Sequence, residues 1–242
     1  MKNLCVIIPC FNEENRIQKN LFIKFLNDYP KNRIVFINDG SNDNTFTILN
    51  YLKAKKSDQV IILNNKKNLG KAESVRKGML FAHENFKNTH IGYLDADLSS
   101  SFDEFLRVAK QLSKKTLFVF GSRILKLDNK ISRKKYRFII GRFIATLISN
   151  MLKFSVYDTQ CGCKVFDYKL ITVIFEKKFI SKWLFDVEIF FRLRRQYGKQ
   201  KLKELVKEIP LEVWIDTPDS RVSFLYFFKI WSDLFKINQK YN

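Results

Sequence analysis

The fold is decided by the stretch THIGYLDADLSS, residues 89–100, in which two aspartates directly follow an apolar run. The run predicts a buried strand over 89–95. Asp95 and Asp97 lie two residues apart, and on an extended segment such side chains point to the same side. Paired carboxylate oxygens suit Mg²⁺ or Mn²⁺, which usually takes one or two carboxylates plus the phosphates of a substrate. The stretch therefore predicts a strand that ends at a metal site.

Similar apolar runs alternate with helical patterns through the first two-thirds of the chain. Further strands are predicted at 4–9, 33–39, 59–63 and 116–121. Helices are predicted at 14–27 and 44–55, and from about residues 69 and 102 onward. Continuous apolar strands separated by helices indicate an α/β fold, with a mostly parallel sheet covered by helices on both faces.

Polar segments follow three of these strands, namely PCFNEE, NDGSND and DADLSS. In parallel sheets, ligands bind outside the carboxyl ends of the strands, so these segments are expected to share one crevice. Basic residues surround Gly70 in NNKKNLGKAESVRKG, residues 64–78, where a helix start could bind an anion. The segment is not a P-loop, and no GxGxxG follows the first strand. A nucleotide site with a carboxylate-held metal remains.

Composition limits the classes of partner. The 242 residues contain 44 Lys and Arg against 24 Asp and Glu, a formal net charge of +20. Such charge attracts phosphates on nucleotides, nucleic acid or an anionic membrane. Acidic strand ends would repel a nucleic-acid backbone, so nucleic acid is not the expected partner. The four cysteines form no CxxC pair, which favours reduced thiols over a zinc site.

Two segments have amphipathic helical patterns. Residues 136–154 could lie on the core or on a membrane surface. The tail is more aromatic and basic, as interfacial helices are, with Phe224, Phe227, Phe228, Trp231 and Phe235. It could also fold onto the main domain or pair with a separate membrane protein. The chain begins with a strand pattern, and no run approaches the roughly 20 apolar residues of a spanning helix, so a soluble or peripheral protein is expected.

Five motifs occur in order: VIIPCFNEE, FINDGSNDNT, NLGKAESVRKG, YLDAD and FGSR. Together they resemble the family 2 glycosyltransferases of the GT-A fold. DTQCGCKVF and WLFDVEIF, further along, are similar to the branch that glycosylates polyprenyl and dolichyl phosphates, particularly its β-glucosyltransferases. Asn38 and Cys163 depart from the usual pattern. The QxxRW signature of processive synthases is absent, which favours transfer of a single sugar.

The resemblance implies a GT-A domain over 1–215, with a nucleotide-sugar half at 1–122 and an acceptor half at 123–215. Residues 216–242 would form an amphipathic tail on the membrane surface. The implied reaction is inverting and metal-dependent, with Mg²⁺ or Mn²⁺ at Asp95 and Asp97. UDP-glucose is the favoured donor, with GDP-mannose as the alternative, and a polyprenyl or dolichyl phosphate is the acceptor. The protein would act as a peripheral protein on the cytoplasmic face of a membrane.

The resemblance also implies roles for individual residues. The catalytic residues would be Asp97, Arg123 and Lys164. The nucleotide-sugar site would contain Pro9, Asn12, Glu13, Asp39, Gly70, Lys71 and Asp95. The acceptor phosphate would contact Arg123, Arg133, Arg142, Asp158, Gln160 and Lys164.

Two other functions are compatible with the residues. A transferase acting on a protein or glycan hydroxyl would need a carboxylate base, for which Asp158 or Asp186 could serve. A non-enzymatic module that binds nucleic acid would explain the net charge but leaves the acidic strand ends without a role. A phosphate acceptor, already an anion at neutral pH, needs cations more than a base.

Overall fold

The computed structural model describes residues 3–87, 90–127, 129–132, 135–215 and 226–241, without the side chains of 132, 135–140 and 226–228. Within these residues a seven-stranded sheet has the order β3-β2-β1-β4-β7-β5-β8, and a two-stranded sheet pairs β6 with β9. The strands are β1 Leu4–Cys10, β2 Arg33–Asn38, β3 Val60–Asn64, β4 His90–Leu94, β5 Phe118–Ser122, β6 Lys130–Ser132, β7 Cys163–Phe166, β8 Val206–Pro210 and β9 Val213–Ile215.

Helices cover both faces of the large sheet, as the alternating pattern predicts. Those within the described residues are α1 Lys19–Asp28, α2 Thr45–Lys55, α3 Lys71–Asn85, α4 Phe102–Ala109, α5 Lys135–Leu152, α6 Ile171–Phe175, α7 Phe185–Leu205 and α8 Tyr226–Tyr241. Alternate residues of β1 enter the two cores: Cys5 and Ile7 pack on the side of α3, α7 and α8, whereas Val6 and Ile8 pack on the side of α1, α2 and α4. The predicted α/β class is confirmed.

Strand β7 interrupts the parallel order and was not expected from the sequence. It lies antiparallel between β4 and β5, with Lys164 opposite both Tyr93 and Phe120. A four-residue strand with a lysine inside it lacks the continuous apolar character that identifies a buried strand. Its consequence is that the DTQCG segment, residues 158–162, enters the sheet beside the end of β4.

Two predicted helices begin later than expected. Helix α1 begins at Lys19 instead of residue 14. The Glu14 side chain accepts hydrogen bonds from the backbone and side-chain amides of Asn44, and the Glu14 N–H donates to Asp43. These contacts tie the preceding segment to the loop before α2. Helix α3 begins at Lys71, after Gly70 at a φ of 94°.

The tail helix α8 packs on α7 and the core of the large sheet through one of its faces. Leu234 and Ile237 are buried in the core that α7 also lines. Tyr241 donates its hydroxyl hydrogen to Glu188 of α7 at 2.7 Å. The predicted tail residues Phe224, Phe227 and Phe228 lie outside the described side chains. None of the helices in the described part of the chain is long and apolar enough to cross a bilayer.

Candidate active site

The two aspartates after β4 lie in a turn. Asp95 is followed by a reversal in which the Leu98 N–H donates to the Asp95 carbonyl at 3.1 Å, with Leu98 at a φ of 52°. The expectation of an extended segment at this point is wrong. The pleat of β4 ends at Leu94, and each carboxylate contacts a different cation.

Asp95 forms an ion pair with Lys71, with 2.5 Å between Oδ1 and Nζ. Lys71 is the first residue of α3, so the start of that helix is fixed beside the end of β4. Burial disfavours the charged ammonium, but the carboxylates of Asp95, Asp186 and Asp97 outweigh burial and raise the pKa of Lys71 above its ordinary value. The pair places a permanent cation where the sequence predicts a diphosphate.

Asp97 is largely buried and contacts residues of two loops. Its Oδ2 is paired with the Arg16 guanidinium, a contact that links it to the segment after β1. Its Oδ1 accepts hydrogen bonds from the Ser99 N–H at 3.0 Å and the Ser99 hydroxyl at 2.9 Å. Arg16 is not predicted as a site residue, because an arginine in a loop is usually a solvated surface charge.

Asp39, at the end of β2, fixes the loop that precedes α3. Its two carboxylate oxygens accept hydrogen bonds from the N–H groups of Leu69 at 2.9 Å and Gly70 at 2.8 Å. The Asn65 side chain donates to Oδ1 at 2.9 Å. An acidic side chain that holds two consecutive backbone donors orients the whole turn. Asp39 therefore orients the backbone that directly precedes Lys71.

The segment after β1 contacts the loop after β2 and lies at the same end of the sheet. Asn12 has a φ of 51°, its N–H donates to Ser41 Oγ, and its Oδ1 accepts from the Asn42 N–H at 2.9 Å. The Glu13 N–H donates to Thr45 Oγ1 at 2.7 Å, and its carboxylate lies 3.4 Å from Arg16 Nε. The structure thus brings the predicted nucleotide-sugar residues to one edge of the sheet, with Pro9 inside β1 itself.

Arg123 and Asp158 form a bidentate ion pair, with Nε and Nη2 at 2.6 and 2.9 Å from the two carboxylate oxygens. Burial lowers the pKa of Arg123, but Asp158, with a smaller contribution from Asp95, outweighs burial and raises it. The backbone N–H of Asp158 donates to Glu208 on β8, and the N–H of Gln160 donates to Asp158. Arg123 remains charged at any pH relevant to the protein.

Lys164 lies inside the sheet and not at the crevice surface. Its side chain is 0% exposed, and its Nζ lies 2.6 Å from Asp186 and 2.5 Å from the carbonyl oxygen of Cys161. Asp186 also accepts a hydrogen bond from the hydroxyl of Tyr93. The expectation that Lys164 contacts the acceptor phosphate is therefore corrected: in this geometry it holds the Cys161 loop in place. Lys164 was expected at the crevice surface because the sequence does not predict strand β7, which contains it.

The other two predicted acceptor cations differ in what the structure describes. Arg142 stacks on the Tyr157 ring, 3.8 Å from its centroid, and donates to the Tyr157 carbonyl. Tyr157 directly precedes Asp158 in the chain, so Arg142 supports the same loop. Arg133 lies outside the described residues.

The carboxylates fit a divalent metal that is completed by a substrate. No group of three or more His, Cys, Asp or Glu side chains in the described part of the chain forms a ready metal cage. Mg²⁺ and Mn²⁺ need no such cage when a diphosphate supplies the remaining oxygens. Asp95 is partly open to the crevice, and Asp97 follows it in the same turn. These two side chains would hold the ion.

Gly162 allows the loop of residues 158–162 to approach Asp95. A Cβ at this position would lie within 3.0 Å of the Asp95 carboxylate, closer than real Cβ atoms come to such neighbours. Glycine in DTQCG therefore has a steric role. A single sequence gives no signal for this contact, because the two residues are far apart in the chain.

We predict that Gly162→Ala displaces the Asp95 carboxylate and weakens its pair with Lys71. The expected loss of unfolding free energy is about 1–3 kcal/mol, measured by urea denaturation. In an Asp95→Ala background the obstructing carboxylate is gone, so Gly162→Ala should cost much less. Equal costs in the two backgrounds would show that the alanine does not press on Asp95.

Comparison of the sequence with known proteins identifies the family of the chain. The glycosyl transferase family 2 model matches residues 5–175. The dolichyl-phosphate beta-glucosyltransferase of Dictyostelium discoideum is 31% identical over 260 residues, covering 98% of this chain and 74% of that protein. The human protein of the same name is 25% identical over 257 residues, covering 99% of this chain and 76% of that protein.

A solved structure shares the fold. The glucosyl-3-phosphoglycerate synthase of Mycobacterium tuberculosis, in complex with Mn²⁺ and UDP-glucose, superposes with a TM-score of 0.70 at 14% identity, covering 98% of this chain and 79% of that one. At this identity the likeness concerns the fold alone. The family match spans more than half of the chain and includes β1, β2, β4 and the turn after β4. The chain therefore belongs to glycosyl transferase family 2 and has the GT-A fold.

Proposed function

We propose that this glycosyltransferase moves one glucose from UDP-glucose to a dolichyl or other polyprenyl phosphate, with inversion, at a membrane surface. The observation that carries the proposal is the presence of two cations near Asp95, Lys71 in direct contact with it and Arg123 close enough to feel its charge. Lys71 is paired with Asp95 from α3, and Arg123 is held by Asp158 from the acceptor half. A donor diphosphate and an acceptor phosphate each have a positively charged partner in this arrangement.

The reaction needs charge stabilisation more than proton transfer. A phosphate oxygen of the acceptor attacks the anomeric carbon and forms the new C–O bond, while the bond to UDP breaks and its electron pair leaves with the diphosphate. Lys71 stabilises the charge that grows on that leaving group. A bound divalent metal at Asp95 and Asp97 would add Lewis-acid stabilisation of the same diphosphate. Arg123 orients the incoming phosphate.

The alternative hydroxyl acceptor is less compatible with the geometry. A hydroxyl needs a carboxylate base, and Asp158 and Asp186 are the candidates. Asp158 accepts hydrogen bonds from two guanidinium nitrogens of Arg123, Nε and Nη2. Asp186 is buried against Lys164 and Tyr93. A phosphate monoester, with a second pKa of about 6, needs no such base.

The donor and acceptor classes rest on the relatives. The similar curated proteins are named dolichyl-phosphate beta-glucosyltransferases, and the glucosyl-3-phosphoglycerate synthase is seen with UDP-glucose and Mn²⁺. These names support UDP-glucose over GDP-mannose and a lipid-linked phosphate as acceptor. The four buried cysteines without disulfide partners are compatible with a reducing compartment, which supports the cytoplasmic face.

A transfer assay tests the proposal. Purified protein is incubated with radiolabelled UDP-glucose, GDP-mannose or UDP-GlcNAc, together with dolichyl phosphate and Mn²⁺. Organic-phase label is expected from UDP-glucose only, and excess chelator should abolish it. Asp97→Asn should lower the rate by at least about 10³-fold, because it removes a charge that holds the metal on the leaving diphosphate.

Asp28→Asn is the matched control, since Asp28 forms an ion pair with Lys24 on the exposed side of α1. It should transfer glucose at the wild-type rate. If only GDP-mannose gave organic-phase label, the donor would be GDP-mannose and not UDP-glucose, while the reaction would still be a glycosyl transfer. Transfer to a free glycan or peptide, and none to dolichyl phosphate, would contradict the acceptor.

The membrane contact is proposed for a surface formed by α5 and α8, which we call the aromatic face: Phe143, Trp231 and Phe235. Phe143 and Trp231 have ring centroids 6.3 Å apart, so the two predicted amphipathic segments meet. The three side chains are 63%, 41% and 67% exposed. Lys229, Lys236 and Lys240 are exposed on the same helix. Buried aromatics give at most about 1.5–3 kcal/mol each, and each lysine near an anionic surface adds about 1 kcal/mol.

We predict that the protein floats with anionic vesicles of phosphatidylcholine and phosphatidylserine, and that high salt weakens this binding. Trp231→Glu with Phe235→Glu should prevent flotation, because it places two charges on the aromatic face. The matched control is Phe46→Glu with Tyr51→Glu on α2, which covers the opposite face of the sheet. Loss of flotation in the control alone would assign the contact to α2. If no variant and no salt concentration changes flotation, the aromatic face is not the membrane contact.

A further inference from the structure

The side of α8 opposite the aromatic face carries a buried carboxylate. Asp233 is 5% exposed, whereas its neighbours Ser232 and Trp231 are exposed. Its Oδ2 accepts a hydrogen bond of 2.6 Å from the hydroxyl of Ser181. Burying an aspartate is costly unless such bonds compensate for the lost hydration. A purely amphipathic membrane helix has no need of an aspartate at this position.

Ser181 also organises the turn before α7. Its Oγ accepts hydrogen bonds from the N–H groups of Trp183 at 3.3 Å and Leu184 at 3.0 Å. One hydroxyl thus satisfies two backbone donors just before Phe185, where the helix begins, and donates its own hydrogen to α8. The conformation of residues 181–184, which we call the Lys182 turn, therefore depends on a partner in the tail.

The Lys182 turn lies against the start of α3. The Ala72 N–H donates to the Lys182 carbonyl at 3.3 Å. The Lys182 side-chain carbons pass over Gly70, so close that a Cβ there would lie 3.0 Å from Cδ. Lys71, between these two contacts, forms the ion pair with Asp95. The turn thus covers the backbone that orients Lys71.

We propose that Asp233 and Ser181 are positioning residues of the donor site: through the Lys182 turn, the tail helix α8 holds the first turn of α3 so that Lys71 stays directed at the donor diphosphate. The part of this inference that concerns the diphosphate rests on the proposed function, whereas the contact between α8 and α3 does not. The same helix carries the aromatic face. The aromatic face and the start of α3 are consequently linked by three successive hydrogen-bonded contacts. These are Asp233 with Ser181, Ser181 with the backbone of the Lys182 turn, and the Lys182 carbonyl with Ala72.

The hydrogen bond between Ser181 and Asp233 is short and shielded from solvent, so its loss should have a local effect. Asp233 and Ser181 are both largely buried, and a buried polar group without its partner costs about 1–3 kcal/mol. The far end of α8 is held independently, since Tyr241 bonds to Glu188 and Arg192. Removing the Ser181–Asp233 bond should therefore release the Lys182 turn while leaving α8 attached to α7.

The test uses the full chain and the variants Ser181→Ala, Asp233→Ala and Asp233→Asn. Hydrogen exchange measured by mass spectrometry reports the Ala72 region in the ligand-free protein. Exchange there should become about 5- to 20-fold faster in both alanine variants. The Kd for UDP with Mn²⁺, measured by calorimetry, should rise by about 5- to 20-fold. Asp233→Asn keeps an acceptor oxygen and should stay near wild type.

Ser232→Ala is the matched control, because Ser232 is the exposed serine next to Asp233 on the same helix. It should change neither measurement. Far-UV circular dichroism verifies that each variant is folded. Ser181→Thr retains the hydroxyl and should restore the slow exchange that Ser181→Ala loses. Unchanged exchange at Ala72 in both alanine variants would overturn the inference. Faster exchange in a protein that does not bind UDP would instead keep the positioning contact and contradict the proposed donor.

Discussion

The ion pair between Lys71 and Asp95 is the contact on which the arrangement of the site depends. It joins the start of α3 to the end of β4 at 2.5 Å. Asp39 holds the preceding turn from β2, and Gly162 leaves room for the carboxylate from the acceptor side. Four separate stretches of chain thus converge on one charge pair. A parallel sheet permits this convergence, because its strands all end at the same edge.

A second ion pair, which is buried, stabilises the same end of the sheet. Lys164 on β7 and Asp186 on α7 are 2.6 Å apart, and Tyr93 of β4 completes the group. Desolvating two charges is expensive, so such a pair is weak evidence for added stability. Its geometric effect is clearer: it fixes the Cys161 carbonyl and hence the loop that carries Gly162 past Asp95. Removing either partner would leave an uncompensated charge inside the sheet.

The sequence predicts the parts of the fold that have a local cause. Continuous apolar runs identified β1 to β5, and turn chemistry placed Asp39, Lys71 and Asp95 at one edge. The tail illustrates the opposite case, because its aromatic spacing indicated an amphipathic helix but not which stripe would face the domain. Leu234 and Ile237 are buried, while Trp231 and Phe235 remain exposed. Both outcomes have the same local pattern, so only the tertiary packing distinguishes them.

Residues that contact the site from distant parts of the chain cannot be identified from local sequence patterns. Strand β7 was missed because a lysine lies at its centre, and Lys164 was consequently assigned to the crevice surface. Arg16, Glu208 and Lys182 carry no local signal, since each contacts the site from a distant part of the chain. Charge and motif order can identify the chemistry of a crevice, whereas its supporting contacts depend on the three-dimensional path of the chain.

We propose that Asp95 and Asp97 hold the metal on the donor diphosphate while Lys71 stays beside it. The most direct test of this proposal is a crystal structure of the protein with UDP and Mn²⁺, measured at a wavelength where manganese scatters anomalously. One anomalous peak is expected between the diphosphate and the two carboxylates, with Lys71 Nζ within hydrogen-bonding distance of a phosphate oxygen. A diphosphate bound away from the turn after β4, with no manganese peak there, would contradict it.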